Sequence, residues 1–404
     1  MKRLLLICSL AFATALWFSC EKDPDSSSDN GSDVEDGVNH EETSDYTWDP
    51  SSEITITLNG SSITTSSSLV TINGSTATIT AAGNYNISGS LSDGRLIVDA
   101  GNNDLVRLIL NSATISNSLG PAILIEKSQK TIINLAEGTQ NTLSDGVTYA
   151  NPADDPNAAI FSKSDLTIFG AGSLTVDGKY KDGITSKDGL LLKSGTIIST
   201  AIDDGIRGKD YLVVEGGTIT VNSGGDGLKS DNDANSGVGY ILIEDGTIKV
   251  TAAGDGIAAQ TSVTVTGGDL DIKTGGGSTS IVSGDASAKG IKGLVNVTLA
   301  PATCIINSAD DAIHSNSKVV INAGTFSLST SDDAIHADAE ITVNDGTIAV
   351  AKCYEGLESH IITINKGDIT ISSTDDCFNA TAGTRTEQDD NSWTYINGGR
   401  IAVS

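Results

Sequence analysis

Carboxylates return at a near-constant interval through the later two-thirds of this 404-residue chain. The acid of an acid-small-apolar triplet falls at Asp182, Asp204, Asp226, Asp255, Asp311, Asp333, Glu355 and Asp376, with gaps of 22, 22, 29, 56, 22, 22 and 21. Lys289 takes the same slot inside the gap of 56. Asp203, Asp310, Asp332 and Asp375 add a second carboxylate directly before the first. Three residues beyond the acid come Arg207, Lys229, Lys292, His314 and His336, a flanking basic column. If the repeats stack at ordinary strand spacing, roughly 4.8 Å, neighbouring carboxylates repel by about 1 kcal/mol in water and by several times that at lower dielectric.

Three chemistries could relieve that repulsion. The acids could cap backbone amides at tight corners and pair with the basic column. They could hold calcium, which takes six to eight oxygen ligands. They could share protons at raised pKa. On the calcium reading the ligands come from Asp182, Asp203, Asp204, Asp226, Asp255, Asp310, Asp311, Asp332, Asp333 and Glu355, with the doublets as the expected ion sites. An insertion, Asp231-Asn232-Asp233-Ala234-Asn235-Ser236-Gly237, spaces Asp231, Asp233 and Asn235 like the first half of an EF-hand loop, with Leu242 where the bidentate glutamate would stand. His314 and His336 share one register and are expected to stack, either as charge partners of Asp311 and Asp333 or as transition-metal ligands.

The elements that must position these groups are short strands. Gly195-Thr196-Ile197, Gly217-Thr218-Ile219, Gly246-Thr247-Ile248, Gly268-Asp269-Leu270, Gly324-Thr325-Phe326, Gly346-Thr347-Ile348 and Gly367-Asp368-Ile369 keep step with the acids. Self-similarity at this period marks stacked units around one continuous core. Period-two alternation, as in Ile206-Arg207-Gly208, means strand. Three strands per turn give the fold class: all-β, a right-handed parallel β-helix of about 22 residues per coil, with a short N-terminal β cap. Insertions near 231–237 and 275–287 are expected to shape a binding face. Tyr180, Tyr211, Tyr240 and Tyr354 fall at different phases of the count, so no aromatic ladder is expected, and Trp393 is placed in a loop.

Composition narrows the partners. A net charge of −28 leaves no positive stripe for a phosphate backbone, which excludes nucleic acid. Lys2 and Arg3, an apolar run from Leu4 to Phe18, and Cys20 read as an export signal. Residues 1–20 resemble a bacterial lipoprotein signal with Cys20 lipidated, and Glu21-Lys22-Asp23 resembles an acidic surface-export tag. The expected location is the outer membrane, at the cell surface, with membrane contact only through the lipid. Residues 21–53 read as a disordered acidic tether, 54–120 as the cap and first irregular coils, and 121–404 as the β-helix of a monomer. Cys304, Cys353 and Cys377 are expected as buried free thiols.

Asp203-Asp204-Gly205-Ile206-Arg207-Gly208-Lys209, Ser287-Ala288-Lys289-Gly290-Ile291-Lys292 and Asp310-Asp311-Ala312-Ile313-His314-Ser315-Asn316, with the Gly-Gly-Thr-Ile strand starts, resemble the polysaccharide-lyase-like carbohydrate-binding β-helix family. The likeness runs from about Asn86 to Ala380. It implies binding of cellulose or of acidic plant sugars such as polygalacturonate, with calcium in the fold. The expected function is therefore polysaccharide binding through a calcium-bearing acidic column, with Arg207, Lys229, His314 and His336 meeting the sugar. Two alternatives stand beside it. One is a calcium-dependent pectate-lyase-type β-elimination with Arg207, Lys229 or Lys187 as base; the other is a structural surface adhesin.

Overall fold

The computed structural model describes residues 39–150, 155–282, 286–383 and 390–404. Cys20 and the export signal lie outside these residues.

Alternating apolar residues fold the chain into repeated sets of three strands. Asp182–Ser186, Gly189–Leu192 and Thr196–Ala201 make one coil; Ile206–Gly208, Tyr211–Val214 and Thr218–Ser223 make the next. Each strand pairs in parallel with its equivalent one coil on. Ile184 registers with Ile206, Ile206 with Leu228, Leu228 with Ile257, Ile257 with Ile291, then Ile313, Ile335, Leu357 and Phe378 follow. From Ile184 to Leu357 this inward file is fully buried. Each such aliphatic side chain contributes about 1.5–3 kcal/mol on leaving water. Because the register is set by a period of two, slipping one residue would turn the file outward.

The recurrent glycines have separate reasons. Gly217 opens its strand at φ 95°, and a Cβ there would meet the Gly195 carbonyl oxygen at 2.7 Å. Gly205, next to the triplet acid, faces inward, where a Cβ would lie 2.2 Å from Val221 Cγ1. The first demands left-handed backbone; the second demands an absent side chain.

The N-terminal end is built differently. Glu53–Gly60 pairs antiparallel with Ile63–Thr65, and Val70–Asn73 with Thr76–Ile79, while Glu53–Gly60 joins Gly83–Leu91 in parallel. The tether expected to reach Glu53 departs from its reading at Asn39. From there the chain forms two 3₁₀ turns, Thr43–Tyr46 and Pro50–Ser52, laid against the rod. Lys130 Nζ bonds Asp45 at 2.7 Å with both side chains buried, and it also takes the His40 carbonyl at 2.6 Å. Tyr46 meets Phe169 edge-on at 4.9 Å, and the His40 ring bridges Tyr211 and Thr167. A polar composition did not prevent ordering, because the rod supplies the buried partners.

Two further expectations change. Tyr211 and Tyr240 sit in paired register and stack at 5.4 Å, and Tyr149 stacks on Tyr180 at 4.2 Å. Trp393 begins a strand, Trp393–Ile396, paired with Leu357–Ile364. Cys304 and Cys353 are buried free thiols, while Cys377 is only partly buried.

Candidate functional site

Every triplet acid sits at the corner that feeds the short strand, so the coil register alone stacks them. The small residue after the acid lets the backbone approach closely, and the apolar residue anchors the corner in the core. From this position the carboxylates point along the rod. Asp182 Oδ1 accepts the Asp204 N–H at 3.3 Å, Asp204 Oδ1 that of Asp226 at 2.9 Å, Asp226 Oδ1 that of Asp255 at 2.9 Å, and Asp255 Oδ1 that of Lys289 at 2.8 Å. Asp311 Oδ1 accepts the Asp333 N–H at 3.1 Å. Charge-assisted bonds of this kind are roughly twice as strong as neutral ones. They fix one oxygen of each acid and leave the other to side-chain partners.

In the middle of the file that second oxygen meets an ammonium or imidazole group. Lys229 Nζ lies 2.9 Å from both Asp204 and Asp226, and Lys292 Nζ 3.1 Å from Asp255. Lys289 Nζ reaches Asp310 at 2.8 Å and Asp311 at 2.7 Å, and His314 Nδ1 reaches Asp311 at 2.8 Å. Burial opposes the charge on Lys229, but Asp204 and Asp226 outweigh it and hold the ammonium above its ordinary range. Burial likewise opposes the Asp311 carboxylate, yet the His314 bond and the Lys289 charge bring it down to about 2. A charged Lys229 stabilises the file and is a poor general base.

Among the described residues no lysine or arginine does this at the two ends, and His336 is shared among Asp333, Asp338 and Glu358. Asp182 is 1 % exposed and accepts from Asn157 Nδ2 at 2.7 Å and Thr185 Oγ1 at 2.9 Å. Burial, then the neighbouring Asp204, pushes its carboxyl up to about 6. Among the described residues no lysine or arginine nitrogen lies within 4.0 Å of Asp182 or Asp203. Asp182, Asp203 and Asp204 nevertheless bring carboxylate oxygens within 4.8 Å of one another. At the other end burial, opposed by the Asn379 bond and reinforced by Glu358, pushes Glu355 up to about 7. His336 Nδ1 stands 3.2 Å from Asp333 and 3.6 Å from Glu358.

The outward column is continuous: Thr185, Arg207, Lys229, Ala258, Lys292, His314, His336, Glu358 and Asn379 register in turn. His314 and His336 stack as expected, 5.0 Å apart and 13° from parallel. Ala258 interrupts the long side chains and leaves a cleft of about 130 Å³ lined by Lys229, Lys292, Asp226, Asp255, Asp231 and Gln260. A second cleft of about 460 Å³ lies against Gly275, Gly276 and Ile281, beside the longer insertion.

The expected calcium loop does not converge. Asp231 turns to Arg207, with Nη2 to Oδ2 at 2.7 Å; Asn232 Oδ1 accepts from Ala234 N; Asn235 Oδ1 accepts from Gly237 N, and Asp233 is exposed. An Asx turn inside the loop and one arginine outside it engage the Asn235 and Asp231 oxygens that spacing alone offered to an ion. The Asp310-Asp311 doublet, with Asp332 nearby, already has the Lys289 ammonium on it. Lys289 and Glu358 are the functional positions that the sequence underused. Each breaks the charge pattern of its own column, and that break was their only signal.

A family model described as carbohydrate-binding domain-containing protein matches residues 73–334 and 317–356. The chain belongs to this carbohydrate-binding family. A family relative from Acetivibrio thermocellus, itself described as a carbohydrate-binding domain-containing protein, is 38% identical over 122 residues, covering 30% of this chain and 43% of the relative. The match thus spans less than half of that relative's length. Among solved structures, the polysaccharide lyase-like protein from C. thermocellum, determined as a gadolinium derivative, aligns with a TM-score of 0.54 at 31% identity. That alignment covers 55% of this chain and 92% of the neighbour. The polysaccharide-lyase-like resemblance of the acid-Gly-Ile and Gly-Thr-Ile motifs therefore holds at the level of the family.

Proposed function

We propose that the protein captures a linear, acidic polysaccharide of the polygalacturonate type along the outward column, with calcium at the Asp182 end of the acidic file. The observation that carries this reading is the aligned track itself. Carboxylates and ammonium groups alternate across adjoining columns, and Ala258 opens a ring-sized notch between Lys229 and Lys292. Arg207, Lys229, Lys292 and His314 offer donors to sugar hydroxyls and uronate oxygens. Asp226 and Asp255 offer acceptors. A surface of net charge −28 repels a polyuronate over long range, so a bridging cation is needed for tight capture.

Calcium fits one place better than the others. Asp182, Asp203 and Asp204 present oxygen donors without a bound ammonium on Asp182 or Asp203, which suits a hard cation. The solved neighbour's gadolinium, also an oxygen-seeking ion, is in keeping with such a site. When bound there, calcium would supply positive charge to a uronate carboxylate. Asp182 and Asp203 would hold it, beside the Lys229-paired Asp204, while Thr185 and Asn157 orient Asp182. We take the coil to be right-handed, and the chain to be a lipoprotein anchored at Cys20 on the outer membrane. Lys229 and Arg207, both locked in ion pairs, serve as binding and not as base in this reading.

The test is affinity electrophoresis and calorimetry of the full chain against polygalacturonate and cellulose, with calcium and then with chelator. Binding to polygalacturonate that falls at least tenfold in chelator supports the proposal. Cellulose binding that is indifferent to calcium would replace it with neutral-glycan recognition. Ultraviolet-absorbing unsaturated product would replace it with lyase chemistry.

A further inference from the structure

The outward column reverses sign once. Where neighbouring coils carry Lys292, His314 and His336, the next coil carries Glu358, registered directly against His336. The corner acids beneath it, Asp333 and Glu355, have no lysine or arginine nitrogen within 4.0 Å among the described residues. Asp333 has a side chain only 8% exposed. Its Oδ2 faces His336 Nδ1 at 3.2 Å, and its Oδ1 is buried with no hydrogen-bond partner. An unmet buried carboxylate oxygen is costly and favours a partner.

Donor atoms of Asp333, His336 and Glu358 all lie within 4.8 Å of one another. The imidazole is held in place by its stack on His314 at 5.0 Å and by Asp338 Oδ1 at 3.2 Å from Nε2. A carboxylate on the far ring nitrogen is the usual outer partner that orients a metal-bound histidine and raises its basicity. We infer that Asp333, His336 and Glu358 form a second cation site, selective for a zinc-class divalent ion. One imidazole nitrogen with two carboxylates is a borderline donor set that suits zinc, copper or nickel. Calcium prefers six or more oxygens and gains little from nitrogen. Binding would place two positive charges among Asp333, Glu355 and Glu358, beside an Asp333 carboxyl group whose Oδ1 has no hydrogen-bond partner. This site does not depend on the glycan reading, since it lies at the opposite end of the file from Asp182.

The experiment uses the metal-stripped full chain, zinc calorimetry, and the visible absorption of cobalt as a spectroscopic probe of nitrogen ligation. The wild type should take up zinc at this site and show cobalt bands. His336→Asn and Glu358→Gln should each weaken zinc binding at least tenfold and remove the bands, whereas His314→Asn should keep them. Glu358→Lys guards against mere misfolding, because it supplies the ammonium that the middle coils already carry. It should fold with an unfolding midpoint at or above that of the wild type and bind no zinc. Zinc uptake that survives in Glu358→Lys, or cobalt bands lost in His314→Asn but kept in His336→Asn, would overturn the assignment. So would calcium binding at this site as tightly as zinc.

Discussion

Between Asp204 and Asp311 the acidic file is closed by lysines, whereas among the described residues Asp182 has no such partner and Asp333 has only a histidine, His336. Both regions share the same coil register and the same corner geometry. They differ in whether a lysine from the same or an adjacent coil reaches the second carboxylate oxygen. Lys229, Lys289 and Lys292 each do so within 3.1 Å. The contrast separates two uses of one repeat. Stacked acids in the middle are tied to backbone amides and ammonium groups, while stacked acids at the ends are tied to amides, a hydroxyl and an imidazole.

Opening the middle should cost the most stability. Lys289→Met removes the ammonium shared by Asp310 and Asp311, both of which are largely buried. Removing one partner of a buried pair costs about 3–5 kcal/mol, so urea unfolding should show a loss of about 3 kcal/mol. A loss below about 1 kcal/mol would mean that the middle was never held by its lysines. Next, Glu355→Gln removes charge from an open end while keeping an acceptor for Asn379, which now bonds Glu355 Oε2 at 2.7 Å. A gain of about 1 kcal/mol at neutral pH is expected, because the neutral amide no longer carries the charge that burial and Glu358 oppose.

Acidification should then act with opposite sign on the two regions. Glu355 has its folded pKa raised to about 7 from 4.5, so the folded state holds the extra proton. Its contribution is fully present below about 4.5 and is lost as pH rises through 7. Asp311 has its folded pKa lowered to about 2 from 3.8, so its contribution is present above 3.8 and is lost as pH falls through 2. Thermal melts without added metal should therefore rise from pH 7.5 to 5 and fall again below pH 4. Glu355→Gln should flatten the first limb and leave the second. The smallest effect belongs to Asp231→Ala, which frees Arg207 at the cleft. A partly exposed pair of this kind is worth about 1 kcal/mol or less, so glycan affinity should change more than the melting temperature.

Much of the architecture was legible in the residues. The Gly-Thr-Ile glycines gave the corner positions because only glycine tolerates the backbone that Gly217 adopts at φ 95°. The isoleucine two residues after each acid gave the inward file. Side-chain direction was not legible: the spacing of Asp231, Asp233 and Asn235 suggested an ion loop, but spacing cannot say that Asp231 turns to Arg207. Tyr211 and Tyr240 were separated by counting, since seven inserted residues lie between them, and only the strand register of their coils restores the stack. The segment from Asn39 to Ser52 read as disordered because its partners, Arg107, Lys130, Phe169, Lys193 and Tyr211, are distant in sequence.

The open ends and the closed middle can be distinguished most directly by anomalous diffraction from crystals grown with calcium replaced by a lanthanide. A peak among Asp182, Asp203 and Asp204, with none from Asp226 to Asp311, is the expected result. Ion density along the lysine-paired middle, or its absence from the Asp182 cluster at saturating metal, would contradict it.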